Sequence, residues 1–157
     1  MTQHWQLAIL GAGVMGETVL SGLIRAGWSP DKITVTDRRP ERQIELQQKY
    51  GVVVLENPEA AASADTVILV VKPQDMNDLL TEIAGSLRPG TLVVSLAAGV
   101  DTAAMEAQLP GGTPVVRVMP NTPVQLRQGV CCIAEGGEAA VPLFERVVKY
   151  SCCRNRR

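Results

Sequence analysis

Short apolar runs alternate along the chain with longer segments in which apolar positions recur every three or four residues. The runs "QLAIL" (6–10), "KITVT" (32–36), "VVVL" (52–55), "TVILVV" (66–71), "TLVVSLA" (91–97) and "TPVVRVM" (113–119) predict six strands, and "GVCCIA" (129–134) a seventh. Most lack in-out alternation, as expected of strands buried on both faces of a parallel sheet. Helices are predicted between them, over 14–26, 40–50, 58–64, 74–87 and 101–109, with a last one over 138–150. Pro40 suits the first turn of the second helix, and Gly51 its end. The succession predicts an α/β chain of Rossmann type, a doubly wound, mostly parallel sheet with helices on both faces.

The first strand runs into "AILGAGVMGETVLSGLIRAG" (8–27), where Gly11, Gly13 and Gly16 form G-x-G-x-x-G between strand and helix. In that context each glycine has a task. Gly11 permits the tight turn, Gly13 lets backbone approach a pyrophosphate, and Gly16 allows close helix–strand packing. The helix start then offers free N–H groups and a partial positive charge to phosphates. The second strand ends in "TDRRPER", with Asp37 placed 21 positions after Gly16. A carboxylate there can accept hydrogen bonds from both ribose hydroxyls of NAD. Arg38 and Arg39 follow at once, and guanidinium forks suit the 2′-phosphate of NADP. The same Arg38, Arg39, Glu41 and Arg42 also read as a solvated helix start. The stretch leaves NADPH and NADH both open.

Composition narrows the remaining classes. A formal net charge of −1 and 3% aromatic residues supply neither the electrostatic footprint nor the stacking platforms of a nucleic-acid binder. The longest apolar run, "VILVV" (67–71), is far too short for a membrane span. "MTQHWQLAIL" lacks the parts of a signal peptide. The cysteines come as adjacent pairs, Cys131–Cys132 and Cys152–Cys153, without the spacing of a zinc or redox motif. A reduced, cytoplasmic protein with no metal site is expected. His4, the only histidine, precedes the first strand and reads as a surface residue. No catalytic acid–base constellation stands out.

Three further segments, "VVKPQ" (70–74), "SLAAGV" (95–100) and "RVMPNTP" (117–123), each follow a predicted strand, at the sheet edge where open α/β folds bind ligands. Together with "GAGVMG" they resemble the N-terminal half of pyrroline-5-carboxylate reductase, from about Leu7 to about Ile133. The resemblance implies a nicotinamide cofactor, commonly NADPH, lying across the strand ends. Leu10, Gly11, Ala12, Gly13, Val14, Met15 and Gly16 would wrap its pyrophosphate. Thr36, Asp37, Arg38 and Arg39 would face the adenosine ribose, and Asn57 would contact the cofactor from the loop after the third strand. Val70, Val71, Lys72 and Pro73, with Leu96, Ala97 and Ala98, would line the adenine–ribose and nicotinamide stretches; Asn121 would sit near the nicotinamide end. The implied chemistry is hydride transfer to the C=N carbon of Δ1-pyrroline-5-carboxylate, giving L-proline, with orientation and water exclusion from the protein.

The resemblance stops where the family continues into a helical domain that carries its dimer interface and "SGSGPAY"- and "SPGGTT"-like segments of the substrate site. Neither string occurs here, and the chain ends "KYSCCRNRR" (149–157). The expected division is a dinucleotide-binding unit over 1–150 and an atypical, disordered basic tail over 151–157. A truncated or frame-altered product, an excised cofactor domain and a stand-alone module with a basic contact tail all fit that ending. Weak or absent turnover by this chain alone is expected, because in the family the missing domain, through which homo-oligomers assemble, covers apolar surface and closes the active site between subunits. Two rival readings remain. One is an enzyme of the 3-hydroxyacid dehydrogenase group, which shares a "GxGxMG" turn but should lack Lys72-Pro73 and the "MPNTP" loop. The other is a regulatory or inactive NAD(P)-binding module.

Overall fold

Strand β1 (Trp5–Leu10) occupies the middle of the sheet, and the glycine turn carries the chain straight from it into helix α1 (Val14–Arg25). The structure, a computed structural model, describes residues 5–25, 27–97, 100–111, 113, 115–120, 130–133 and 149–152. Strand β2 (Ile33–Thr36), helix α2 (Pro40–Tyr50), strand β3 (Val53–Val54), helix α3 (Asn57–Ser63) and strand β4 (Ala64–Leu69) complete the first half. A 3₁₀ turn over Pro73–Asp75 then leads into α4 (Met76–Ile83), followed by β5 (Leu92–Ser95), α5 (Thr102–Glu106) and β6 (Val115–Pro120). Strands β7 (Val130–Ile133) and β8 (Lys149–Cys152) are the last described elements.

The sheet order is β3-β2-β1-β4-β5-β6-β7-β8. Strands β1 to β6 are parallel, with Ala8 opposite Thr34 on one side and Val67 on the other. Strand β7 runs antiparallel to β6, pairing Val118 with Ile133, and β8 is parallel to β7. The predicted Rossmann architecture is therefore present, with the first six strands in the 3-2-1-4-5-6 order of that fold.

Alternation along each strand divides the core between two faces. Leu7 and Ile9 of β1, Ile68 of β4 and Val94 of β5 pack with Val19, Leu20 and Leu23 of α1 and Leu46 of α2. Ala8 and Leu10, Val67 and Leu69, and Val93 pack instead with Ala60 and Ala61 of α3, the apolar stripe of α4 and Met105 of α5. That stripe, Met76, Leu79, Leu80 and Ile83, has the spacing of one helical face. Both faces of the central strands are covered, which explains why their sequences read as unbroken apolar runs. Among the described residues no helix is long and apolar enough to cross a membrane.

Several predicted elements change at their ends; the helix expected over 101–109 is α-helical only over Thr102–Glu106, and the strand expected over 66–71 lies at Ala64–Leu69. The helix expected over 74–87 begins as a 3₁₀ turn at Pro73 and is α-helical only over Met76–Ile83. The helix expected over 138–150 is corrected at its end, because Lys149 and Tyr150 belong to β8 and pair with Val130 and Cys131. Ladder bonds to β7 satisfy these backbone groups, and such tertiary pairing overrides a local helical period. Residues 138–148 of that expectation lie outside the described residues. The boundary drawn at residue 150 falls inside β8, with Ser151 and Cys152 on the strand.

Leu46 is the single buried residue of α2. Truncating it to Ala should cost about 2–5 kcal/mol of stability. Urea unfolding of Leu46→Ala against the parent chain measures this, and a cost under 1 kcal/mol would show that α2 is held chiefly by its polar contacts.

Candidate binding cleft

The strand order reverses between β1 and β4, and the sequential crossovers diverge there to opposite faces of the sheet. Loops leaving the carboxyl ends of these strands separate and leave a crevice. The cleft found at this point measures about 670 Å³. Gly11 and Gly13 form its floor, Thr36 to Arg39 and Gln43 one wall, Leu55 to Asn57 a second, and Val70 to Lys72 with Asp75, Leu79 and Glu82 the third.

The floor is shaped by what two glycines lack. Gly11 has φ +92°, and a Cβ on it would lie 3.0 Å from Val71 Cγ1 and 3.1 Å from the Val70 carbonyl oxygen. A Cβ on Gly16 would lie 2.7 Å from the Gly11 carbonyl oxygen, closer than real Cβ atoms come. A side chain at Gly16 would push α1 off β1, and one at Gly11 would push the turn away from the loop after β4. Gly13 differs: a Cβ there would meet nothing within 4 Å, so its absence leaves the floor flat and open. Backbone bonds fix the turn. Gly11 N and Ala12 N donate to the Thr36 carbonyl at 3.2 and 2.9 Å, and Gly13 N donates to Gly11 O at 2.9 Å. The first intrahelical bond shown, Glu17 N to Gly13 O at 2.9 Å, leaves the Val14, Met15 and Gly16 amides ahead of it without an i−4 partner in the helix.

At the end of β2, Asp37 is gripped rather than open. Arg39 donates from Nε to Oδ1 and from its terminal nitrogen to Oδ2, both at 3.1 Å, and its backbone N–H reaches Oδ1 at 2.8 Å. The Asp37 side chain is only 7% exposed. Burial pulls its carboxyl upward, but the hydrogen bonds and charge of Arg39, with Arg42 nearby, outweigh this and hold it below the usual carboxylate range. Arg38 lines the same wall, is exposed, and has no ion pair among the described residues. Behind the wall, the Thr36 hydroxyl donates to Asn57 Oδ1, and Asn57 Nδ2 donates to Glu82 Oε2 at 3.2 Å. Asn57 thus ties β2 to α4 across the cleft.

A second polar cluster lies under the glycine turn, between α1 and α2. Glu17 accepts hydrogen bonds from Arg42 at 2.6 Å, Tyr50 Oη at 2.8 Å and Lys49 Nζ at 3.0 Å. Arg42 also donates from Nε to the Ala12 carbonyl at 3.2 Å and from its other terminal nitrogen to Glu45 at 3.0 Å. Burial alone would raise the Glu17 carboxyl, but the three donors lower it to about 2.

The structure gathers ten sequence-predicted residues around the cleft: Gly11, Gly13, Thr36, Asp37, Arg38, Arg39, Asn57, Val70, Val71 and Lys72. Leu10 and Ala12 are buried beneath the floor, Gly16 packs under Gly11, and Met15 leans on the core, while Val14 is 69% exposed. Pro73 opens the 3₁₀ turn beyond the third wall. Leu96 and Ala97 pack against the core on the far side of β4. Ala98 and Asn121 lie outside the described residues. Gln43, Leu55, Glu56, Asp75, Leu79 and Glu82 line the cleft without having been expected. Leu55 and Glu56 follow the carboxyl end of β3, so the rule applied to the other strands reaches them too. Gln43 is held by its Nε2 bond to the Asp37 carbonyl at 2.6 Å, for which the sequence carries no signal.

Strand order, glycine turn and a cleft at the reversal of that order define a Rossmann-type domain. The chain belongs to the family described as NADP oxidoreductase, coenzyme F420-dependent, whose sequence profile matches residues 6–99. The resemblance drawn from its motifs is borne out as well. It is 42% identical over 145 residues to a pyrroline-5-carboxylate reductase of Corynebacterium melassecola, covering 90% of this chain and 54% of that protein. A solved pyrroline-5-carboxylate reductase from Coxiella burnetii superposes with a TM-score of 0.88 at 29% identity, over 99% of this chain and 60% of the other. A 3-hydroxyisobutyrate dehydrogenase of Mycobacterium tuberculosis shares the fold, with a TM-score of 0.79 at 22% identity over 96% of this chain and 55% of the other. The chain spans about half the length of the curated relatives it matches.

The depressed Glu17 carboxyl makes a stability statement with a definite sign. Between its ordinary value of 4.5 and about 2 the unfolded chain binds the extra proton, so the contribution is complete above pH 4.5 and lost as pH falls toward 2. Urea unfolding across that range should show the gap between the parent chain and Glu17→Gln shrinking as pH falls. A gap that stays constant from neutral pH down to 2 would contradict the assignment.

Proposed function

We propose that this chain is the NAD(P)H-binding half of a pyrroline-5-carboxylate reductase of proline biosynthesis, working on a small-molecule substrate in a reduced cytoplasmic setting. The observation that carries the reading is the flat glycine floor at the strand-order reversal, flanked by Thr36 to Arg39 on one side and Val70 to Lys72 on the other. Those features fit a dinucleotide. The helix start supplies donors and positive potential for a pyrophosphate, and the open space at Gly13 lets phosphate oxygens reach backbone. Thr36 to Arg39 would face the adenosine ribose, and Leu55, Val71 and Leu79 offer apolar surface to the adenine. When bound, NAD(P)H supplies the hydride that reduces the C=N bond of Δ1-pyrroline-5-carboxylate, with a proton added at the ring nitrogen, to give L-proline. The chain's own part is to bind, orient and exclude water.

The ribose corner favours NADPH. Both oxygens of Asp37, the acceptor that would select NADH, are engaged by Arg39, while Arg38 is the cation left for a 2′-phosphate. The dehydrogenase alternative rests on fold alone, whereas the 42% identity to a pyrroline-5-carboxylate reductase supports the reductase reading. The nucleotide-binding unit is taken to run from residue 1 through β8.

Fluorescence titration of the 157-residue chain should show saturable binding of NADPH, with NADH weaker. Arg38→Ala should reduce NADPH affinity about tenfold, ~1.4 kcal/mol, and leave NADH unchanged. Gly13→Ala should keep the melting temperature within a few degrees and weaken both cofactors, since its Cβ points into the cleft rather than into protein. Turnover of Δ1-pyrroline-5-carboxylate by these residues alone should be weak or absent, and a rate typical of complete reductases would refute that part. Failure to bind either cofactor would overturn the reading.

A further inference from the structure

Arg42 reads from sequence as part of a solvated helix start, yet its side chain is only 13% exposed, with bonds reaching in to Ala12 and Glu17 and one outward to the exposed Glu45. Resting on the dinucleotide reading above, we propose that Arg42 is the positioning residue of the pyrophosphate floor, holding the Ala12–Gly13 peptide in its binding orientation. The Ala12 residue is gripped at both ends. Its N–H is bound by the Thr36 carbonyl at 2.9 Å, and its C=O accepts the Arg42 Nε–H at 3.2 Å. A planar trans peptide cannot turn its carbonyl without turning the N–H it shares. Rotation of this unit would carry the Gly13 amide away from Gly11 O and swing the negative end of the Ala12 carbonyl toward the floor, where it would oppose phosphate. Gly13 itself offers no steric resistance, because nothing lies within 4 Å of its Cβ position. On its N–H side this peptide is restrained by the Gly13 bond to Gly11 O at 2.9 Å, and on its carbonyl side the restraining partner is Arg42.

The remaining bonds of the guanidinium settle a second problem at the same place. Glu17 lies one turn into α1, where a free carboxylate would repel a phosphate bound at the helix start. Arg42, Lys49 and the Tyr50 hydroxyl all donate to it. With Glu45 bonded to the other face of Arg42, two carboxylates and two cations form a neutral cluster. The helix start therefore keeps its positive potential undiminished by Glu17. The rigid fork is needed for this geometry, since one guanidinium reaches a carbonyl and two carboxylates in three directions, which an ammonium cannot copy.

Three ligands separate this role from general support of the fold: NADPH, ADP-ribose, which keeps the pyrophosphate, and adenosine 2′-monophosphate, which reaches only the ribose corner. Arg42→Gln should weaken NADPH and ADP-ribose about tenfold or more and leave adenosine 2′-monophosphate within about twofold. Arg42→Lys should recover part of the loss, and Glu17→Gln should show the same ligand contrast in smaller degree. Thermal unfolding of each variant confirms that binding is measured on folded protein. If Arg42→Gln does not fold, the contrast in Arg42→Lys and Glu17→Gln decides. Equal weakening of all three ligands, or unchanged NADPH affinity in the folded variants, overturns the positioning role. A parent chain that binds none of the three overturns the dinucleotide reading itself, and this proposal with it.

Discussion

The approach of α1 to the end of β1 is the constraint on which the rest of the molecule depends. The helix can start where it does because no side chain stands at Gly16, whose Cβ position is 2.7 Å from the Gly11 carbonyl. From that contact α1 starts beside the strand-order reversal, where Gly11 and Gly13 of the turn line the cleft and the first three helix amides lack an i−4 partner. The same seating presses Val19, Leu20 and Leu23 onto Leu7 and Ile9 and so begins one of the two cores. Core packing and cleft shape are two results of one backbone contact. A change that loosens either is felt in both.

Much of this was legible in the residues. The runs around Ile9, Val35, Ile68 and Val94 announced strands covered on both faces, because a parallel sheet exposes no polar side. The glycine spacing located the turn, and the position of Asp37 located the end of β2. The edge of the sheet was harder to read. Lys149 and Tyr150 continue a helical period in sequence but lie in β8, since their backbone partners are in β7, a non-local pairing that no window of the sequence contains. Element ends suffered for a related reason. The 3₁₀ start at Pro73 follows from a proline that fixes one dihedral and leaves the hydrogen-bond register to be chosen by packing.

The charged corner after β2 shows the limit most clearly. Three arginines within 38–42 look alike in sequence, but the fold assigns them different fates. Arg39 turns back on Asp37, Arg38 stays open to the cleft, and Arg42 is drawn beneath the glycine turn to Glu17 and Ala12. The partners separate these outcomes: Arg39 closes the turn on Asp37, and Arg42, from the first turn of α2, reaches Ala12 and Glu17. Side chains a residue or two apart on a helix start point in directions differing by a hundred degrees or so, so a list of charges carries no address until the helix is seated.

The outer edge on the β3 side carries a consequence of another kind. An exposed parallel edge is a template on which a strand from another molecule can add, and long apolar edges of this sort seed aggregation. Here the edge strand is two residues long, Val53 and Val54, and it gives way at once to Asn57-Pro58 at the start of α3. So short a ladder offers an incoming strand little to bond to before it meets a helix, so the most apolar part of the sheet stays internal and intermolecular growth from this side is cut off where it would begin.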